Sequence, residues 1–90
     1  MPANQYGALR FREEKRRFLN LECRGLLSPM PLLKTSTAIK NMKVGQILEM
    51  LTTDPGAKPD MLAWSKRTGH ELVRMEDESG VLKFYILKTT

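Results

Sequence analysis

The residues best placed to do chemistry are Ser28-Pro29-Met30-Pro31, with Glu22-Cys23-Arg24-Gly25 just ahead of them. Two prolines two apart, after a strand-like run and before a helical one, mark a helix start. Pro lacks the amide hydrogen that the first helical turn leaves unpaired anyway. With Ser28 as N-cap, Pro29 is the first helical residue and Pro31 the third. The Met30 amide and the positive end of the helix dipole are then aimed at position 28. A thiol there would have a lowered pKa and would be a good sulfur nucleophile. This chain carries a hydroxyl instead.

Other candidates are few. Cys23 is the only thiol, and it alternates with Leu19 and Leu21. That pattern reads as a small buried hydrophobe; its place five residues before Ser28 keeps a second reading open, as a reactive or resolving thiol. Arg24 has two readings, a solvated charge or a source of positive potential over position 28. Glu22 reads as a surface residue, with pairing to Arg24 or Lys34 as the alternative. Met30, between the prolines, either forms part of an apolar docking surface or packs in the core. Trp64 reads as core, with an indole N–H that needs an acceptor. His70 reads as a capping or packing residue, because no carboxylate is spaced for acid–base work with it. One His and one Cys are too few for a zinc site, and a lone Cys excludes an internal disulfide.

The elements that position these residues follow from periodicity. Leu19, Leu21 and Cys23 alternate with Asn20 and Glu22, a strand pattern ended by Arg24-Gly25. A helix is expected over 29–42, with Leu32, Thr35, Ile39 and Met42 on one face. Ile47 to Thr53 is a strand with apolar residues on both faces, which suggests a central position. Thr53-Asp54-Pro55-Gly56 is a turn in which Asp54 can cap a second helix. That helix runs over 57–68, with Ala57, Met61 and Trp64 in register and Gly69 as its stop. Glu71 to Met75 and Val81 to Leu87 form a hairpin around the turn 76–80. The order βαβαββ, with right-handed crossovers, implies a two-layer α/β sandwich. It has a four-stranded mixed sheet and two helices on one face.

Ninety residues with 41% hydrophobic content suffice for one core. No run of about 18 apolar residues is present, so no membrane span is expected, and no secretory signal is visible. The net charge is +5. Residues 1–20 carry five basic side chains (Arg10, Arg12, Lys15, Arg16, Arg17) against Glu13 and Glu14. Residues 1–17 read as a basic, flexible extension and residues 18–90 as the folded domain. A basic arm suits nucleic acid, an acidic lipid surface or an acidic protein partner, and is otherwise a solvated tail. A reducing, cytoplasmic setting is the default.

The segment Leu21-Glu22-Cys23-Arg24-Gly25-Leu26-Leu27-Ser28-Pro29-Met30-Pro31 resembles the TusA/SirA/YedF family of small sulfur carriers, whose pattern there is an acidic residue, Arg-Gly-Leu, one variable residue and Cys-Pro-x-Pro. The resemblance continues through Gly45-Gln46-Ile47, Thr53-Asp54-Pro55-Gly56-Ala57, Ala63-Trp64 and Gly69-His70-Glu71. It implies a βαβαββ sandwich and a relay of sulfane sulfur without a metal or organic cofactor. A cysteine desulfurase or rhodanese-type donor would load the motif cysteine as a persulfide. An acceptor protein would take the sulfur on, as in tRNA thiolation, molybdenum cofactor assembly or sulfur oxidation. Arg24, Gly25, Pro29 and Pro31 would shape the motif, and Met30 would help to bind partners.

The chain departs from that pattern at the motif cysteine, where it has Ser28. A serine hydroxyl cannot carry a persulfide. Three explanations stand: an engineered Cys→Ser change, a natural paralogue that kept the fold and lost the relay, or Cys23 taking over. On this reading the protein is a carrier more than an enzyme with its own turnover, and it is inactive in sulfur transfer as it stands. The rival reading is a nucleic-acid-binding or regulatory module that uses the basic arm.

Overall fold

The computed structural model describes residues 18–90. The expectations for residues 1–17, and the nucleic-acid reading that depends on them, fall outside those residues. The described chain runs β1 (Leu19–Cys23), α1 (Met30–Lys40), β2 (Ile47–Thr52), α2 (Ala57–Thr68), β3 (Glu71–Glu78) and β4 (Val81–Leu87). The four strands form one mixed sheet in the order β1-β2-β4-β3. β1 pairs with β2 in parallel, and β4 is antiparallel to both β2 and β3. This is the βαβαββ sandwich that the sequence pattern predicts, with β2 inside the sheet as expected.

Period-2 alternation decides which side chains meet the helices. Leu48, Met50 and Thr52 of β2 are buried, and their cross-strand partners Ile86, Phe84 and Leu82 share that face. α1 lays Pro31, Thr35 and Ile39 on this face, and α2 lays down Ala57, Met61 and Trp64. Cys23 joins the same cluster with no exposed surface. The opposite face carries the row Glu49–Tyr85–Arg74 and, beside it, Leu51–Lys83–Glu76. Tyr85 on that face is fully buried, with Phe18 tilted against its ring at 5.6 Å between centroids.

α2 keeps the predicted bounds. Gly69 ends it at φ 84°, the left-handed conformation that costs glycine least, and its amide donates to the Ser65 carbonyl. The Trp64 indole N–H donates to Ser36 Oγ at 3.0 Å, which ties the two helices together. His70 fills a packing role, its ring 5.6 Å from that of Trp64 and its Nδ1 accepting the Thr89 amide. β3 is longer than its pattern predicts. It extends through Glu76-Asp77-Glu78, and only Ser79-Gly80 make the turn, both with positive φ. A two-residue turn of that kind matches the twist of the flanking strands and lets charged residues continue the ladder.

Candidate functional site

Position 28 lies in the loop from β1 to α1, at the carboxyl ends of the two parallel strands. The loop from β2 to α2 ends beside it. Gly25, at φ 82°, turns the chain out of β1, and its amide donates to Thr53 Oγ1 at 2.9 Å. That bond joins the two loops. Leu26 N–H donates back to the Cys23 carbonyl, and Met30 N–H to the Leu27 carbonyl at 2.9 Å.

The cap at Ser28 expected from sequence is not formed. α1 begins at Met30, Pro29 stands at the N-cap, and among the described residues no side chain caps the helix. The amide nearest to a serine cap is that of Met30, and it is spent on the Leu27 carbonyl. The Ser28–Pro29 peptide bond is cis. The Ser28 hydroxyl turns instead to α2, where it donates to Asp60 Oδ2 at 3.4 Å. Asp54 is likewise not the N-cap of α2, which is Gly56. Its Oδ1 accepts the Gly56 amide at 3.1 Å and its carbonyl accepts the Ala57 amide. It thus organises the turn one step ahead of the helix. Asp54 is 7% exposed, and among the described residues its Oδ2 has no hydrogen-bond partner.

Ser28, Asp54 and Asp60 line one cavity of about 10 Å³. Pro29, Pro31 and Leu32 wall it from α1, and Ala57 and Met61 from α2. On the other side of α1 lies an open groove of about 410 Å³, lined by Leu21, Met30, Leu33, Lys34, Thr37 and Ala38. Met30 is 40% exposed and Leu27 72% exposed, so position 28 is bordered by apolar surface.

The remaining sequence candidates separate. Arg24 is engaged by Glu22. Its Nε and Nη2 reach the two carboxylate oxygens at 2.8 Å each, and its amide donates to Oε1. The guanidinium holds the Glu22 carboxyl below its usual value, and Glu22 raises that of Arg24. Cys23 faces the core, not position 28, and burial pushes its thiol pKa up, against a smaller opposing effect of Lys34. A protonated, enclosed thiol is a poor nucleophile. The structure thus brings Ser28, Pro29 and Pro31 together, and it leaves Cys23 and Arg24 outside the cavity. Asp60 and Thr53 escaped the sequence reading, since each meets the motif across about thirty residues. The one available signal for Asp60 was an acidic residue in the first turn of α2, which the helix dipole favours in any case.

Among the described residues no helix is long and apolar enough to cross a membrane, and no three His, Cys, Asp or Glu residues are grouped to hold a metal ion. A crystal structure of a SirA-like protein from Desulfitobacterium hafniense superposes with a TM-score of 0.69, at 15% identity, over 81% of this chain and all of the other. That likeness shows the fold. The sulfur carrier protein TusA of Allochromatium vinosum is 38% identical over 69 residues, 77% of this chain and 91% of its own. The Bacillus subtilis protein named "Putative sulfur carrier protein YrkI" is 48% identical over 68 residues, 76% of this chain and 91% of its own. A second B. subtilis protein, "Putative sulfur carrier protein YrkF", is 41% identical over 68 residues that make up 37% of its length. The family model described as Sulfurtransferase TusA matches residues 20–88, from the first strand to just past the last, and the chain belongs to that family.

Proposed function

We propose that this protein has the architecture of a persulfide relay carrier with position 28 as its carriage point, and that Ser28 leaves it unable to carry sulfur. The observation that carries this reading is the placement of Ser28. It is exposed on a loop between a parallel strand and the helix that follows, framed by Pro29 and Pro31 and bordered by Leu27 and Met30. Sulfane sulfur transfer needs a thiolate that attacks the outer sulfur of a donor persulfide. A new S–S bond forms as the donor's S–S bond breaks, and the donor thiolate leaves. An alcohol neither ionises near neutral pH nor holds the product. Sulfur-donor and sulfur-acceptor proteins would dock over the loop and the Met30 side of α1. Neither a metal nor an organic cofactor enters the step. Reducing cytoplasm is the setting that suits this chemistry.

The Ser28→Cys variant of the full chain, incubated with a persulfide donor, should gain the mass of about one sulfur atom, which reductant removes. Peptide mapping should place it on residue 28. Sulfur found only on Cys23 would overturn the assignment, as would none on either thiol.

A further inference from the structure

The cavity beneath position 28 is rich in acceptors and poor in donors. Asp54 and Asp60 both line a space of about 10 Å³. The protein donors found for them are the Gly56 amide on Asp54 Oδ1 and the Ser28 hydroxyl on Asp60 Oδ2. Asp54 Oδ2, buried in a residue 7% exposed, has none among the described residues. A buried acceptor without a donor is costly, and Asp54 Oδ2 is such an atom, while the Ser28–Asp60 bond beside it is exposed. Pro29, Pro31 and Leu32 line the cavity at the start of α1, and Ala57 and Met61 line it from α2, so among the described residues no cationic side chain is part of the lining. Arg24, on the adjoining loop, is committed to Glu22.

We infer that Asp60 is the positioning residue for the side chain at position 28, holding it toward α2 as a protonated hydrogen-bond donor. This rests on the sulfur-carrier reading only in taking position 28 as the reacting position. It reverses one consequence of the sequence argument. The helix N-terminus alone would favour an anion at position 28. The Asp60 carboxylate, 3.4 Å from the serine oxygen and attached to the other helix, opposes it. Position 28 also lies one residue outside the Pro29 cap, farther from the helix end than the pattern places it. A thiol introduced there can donate its S–H to Asp60 as the hydroxyl does. A thiolate would be a further acceptor beside two carboxylates.

The test compares Ser28→Cys with Ser28→Cys/Asp60→Asn, both in the full chain. The rate of alkylation at residue 28 is followed against pH by peptide mass spectrometry. Asn keeps the shape and an acceptor oxygen but removes the charge. Removing one negative charge at this range should lower the midpoint by about one pH unit, or roughly tenfold more thiolate at a fixed lower pH. Asp60→Glu, which keeps the charge, should leave the midpoint close to that of Ser28→Cys. Asp60→Ala, which removes the charge without adding an amide, should lower the midpoint in the same direction and serves where the Asp60→Asn variant fails to fold. Equal midpoints in the Ser28→Cys form and in the folded Asp60→Asn or Asp60→Ala double variants would overturn the inference. Persulfide loading is read separately by mass. Loading with an unmoved midpoint removes the role of Asp60 alone, and a moved midpoint without loading removes the sulfur reading alone.

Discussion

At the scale of single residues, Ser28 shows how one bond partner changes a prediction. Read as an N-cap, it should cost about 1 kcal/mol on replacement by alanine. In the structure its hydroxyl leaves the helix and makes one long, exposed bond to Asp60. Ser28→Ala is therefore expected to change stability by no more than about 0.5 kcal/mol, the usual range for a surface substitution. Urea melts of the two forms check this; a loss near 1 kcal/mol would restore the cap. The sequence made the motif legible because its prolines and glycine are backbone constraints that local pattern reveals. It did not show which acceptor the hydroxyl finds. Asp60 is 32 residues away, and only tertiary structure brings it near. Cys23, by contrast, was readable: alternation with Leu19 and Leu21 put it on the inner face, where it has no exposed surface.

At the scale of elements, the boundaries that local chemistry sets were the ones the sequence showed. α2 stops at Gly69 because a left-handed residue there lets the chain turn and its amide reach the Ser65 carbonyl. A methyl group at Gly69 would meet nothing within 4 Å, so the penalty of Gly69→Ala is conformational alone. It should be about 1 kcal/mol, seen as a lower urea midpoint at unchanged slope. The limits of α1 were less legible. It begins one residue late, at Met30, because the Met30 amide closes a turn with Leu27. It ends at Lys40, with Asn41 as the C-cap, although Met42 stays buried. Apolar spacing tracks burial, and burial continues past the last helical hydrogen bond. The charged end of β3 was missed for the converse reason. Glu76-Asp77-Glu78 has the composition of a turn, yet it ladders with Lys83, Leu82 and Val81.

At the scale of the whole molecule, the sheet has two chemically different faces. The helix-covered face is apolar, and the other holds Tyr85 among Glu49, Glu76 and Lys83. The Tyr85 hydroxyl donates to Glu76 Oε1 at 3.3 Å. Burial, and after it the neighbouring Glu49 carboxylate, push its phenol pKa well above the usual value. A folded-state value above the unfolded one means that the stabilisation is fully present below the unfolded value of about 10. It is lost as pH rises beyond that toward the folded value. Denaturant melts between roughly pH 8 and 11 should show stability falling above about pH 10. Tyr85→Phe should flatten that fall, and an equal fall in both forms would assign it to other groups.

The strand order also sets a timetable. β4, the last of the four strands in sequence, lies between β2 and β3. During synthesis β1 and β2 can pair around α1 as soon as both have emerged. β3 then has no neighbour, and the inner edge of β2 stays open, until Val81–Leu87 has been made. Half of the sheet therefore waits on seven residues. Non-local pairing of this kind is slow, and an open strand edge invites pairing with other chains. The nascent protein is thus most exposed to misassembly just before β4 arrives, and an agent that shields strand edges would act in that interval.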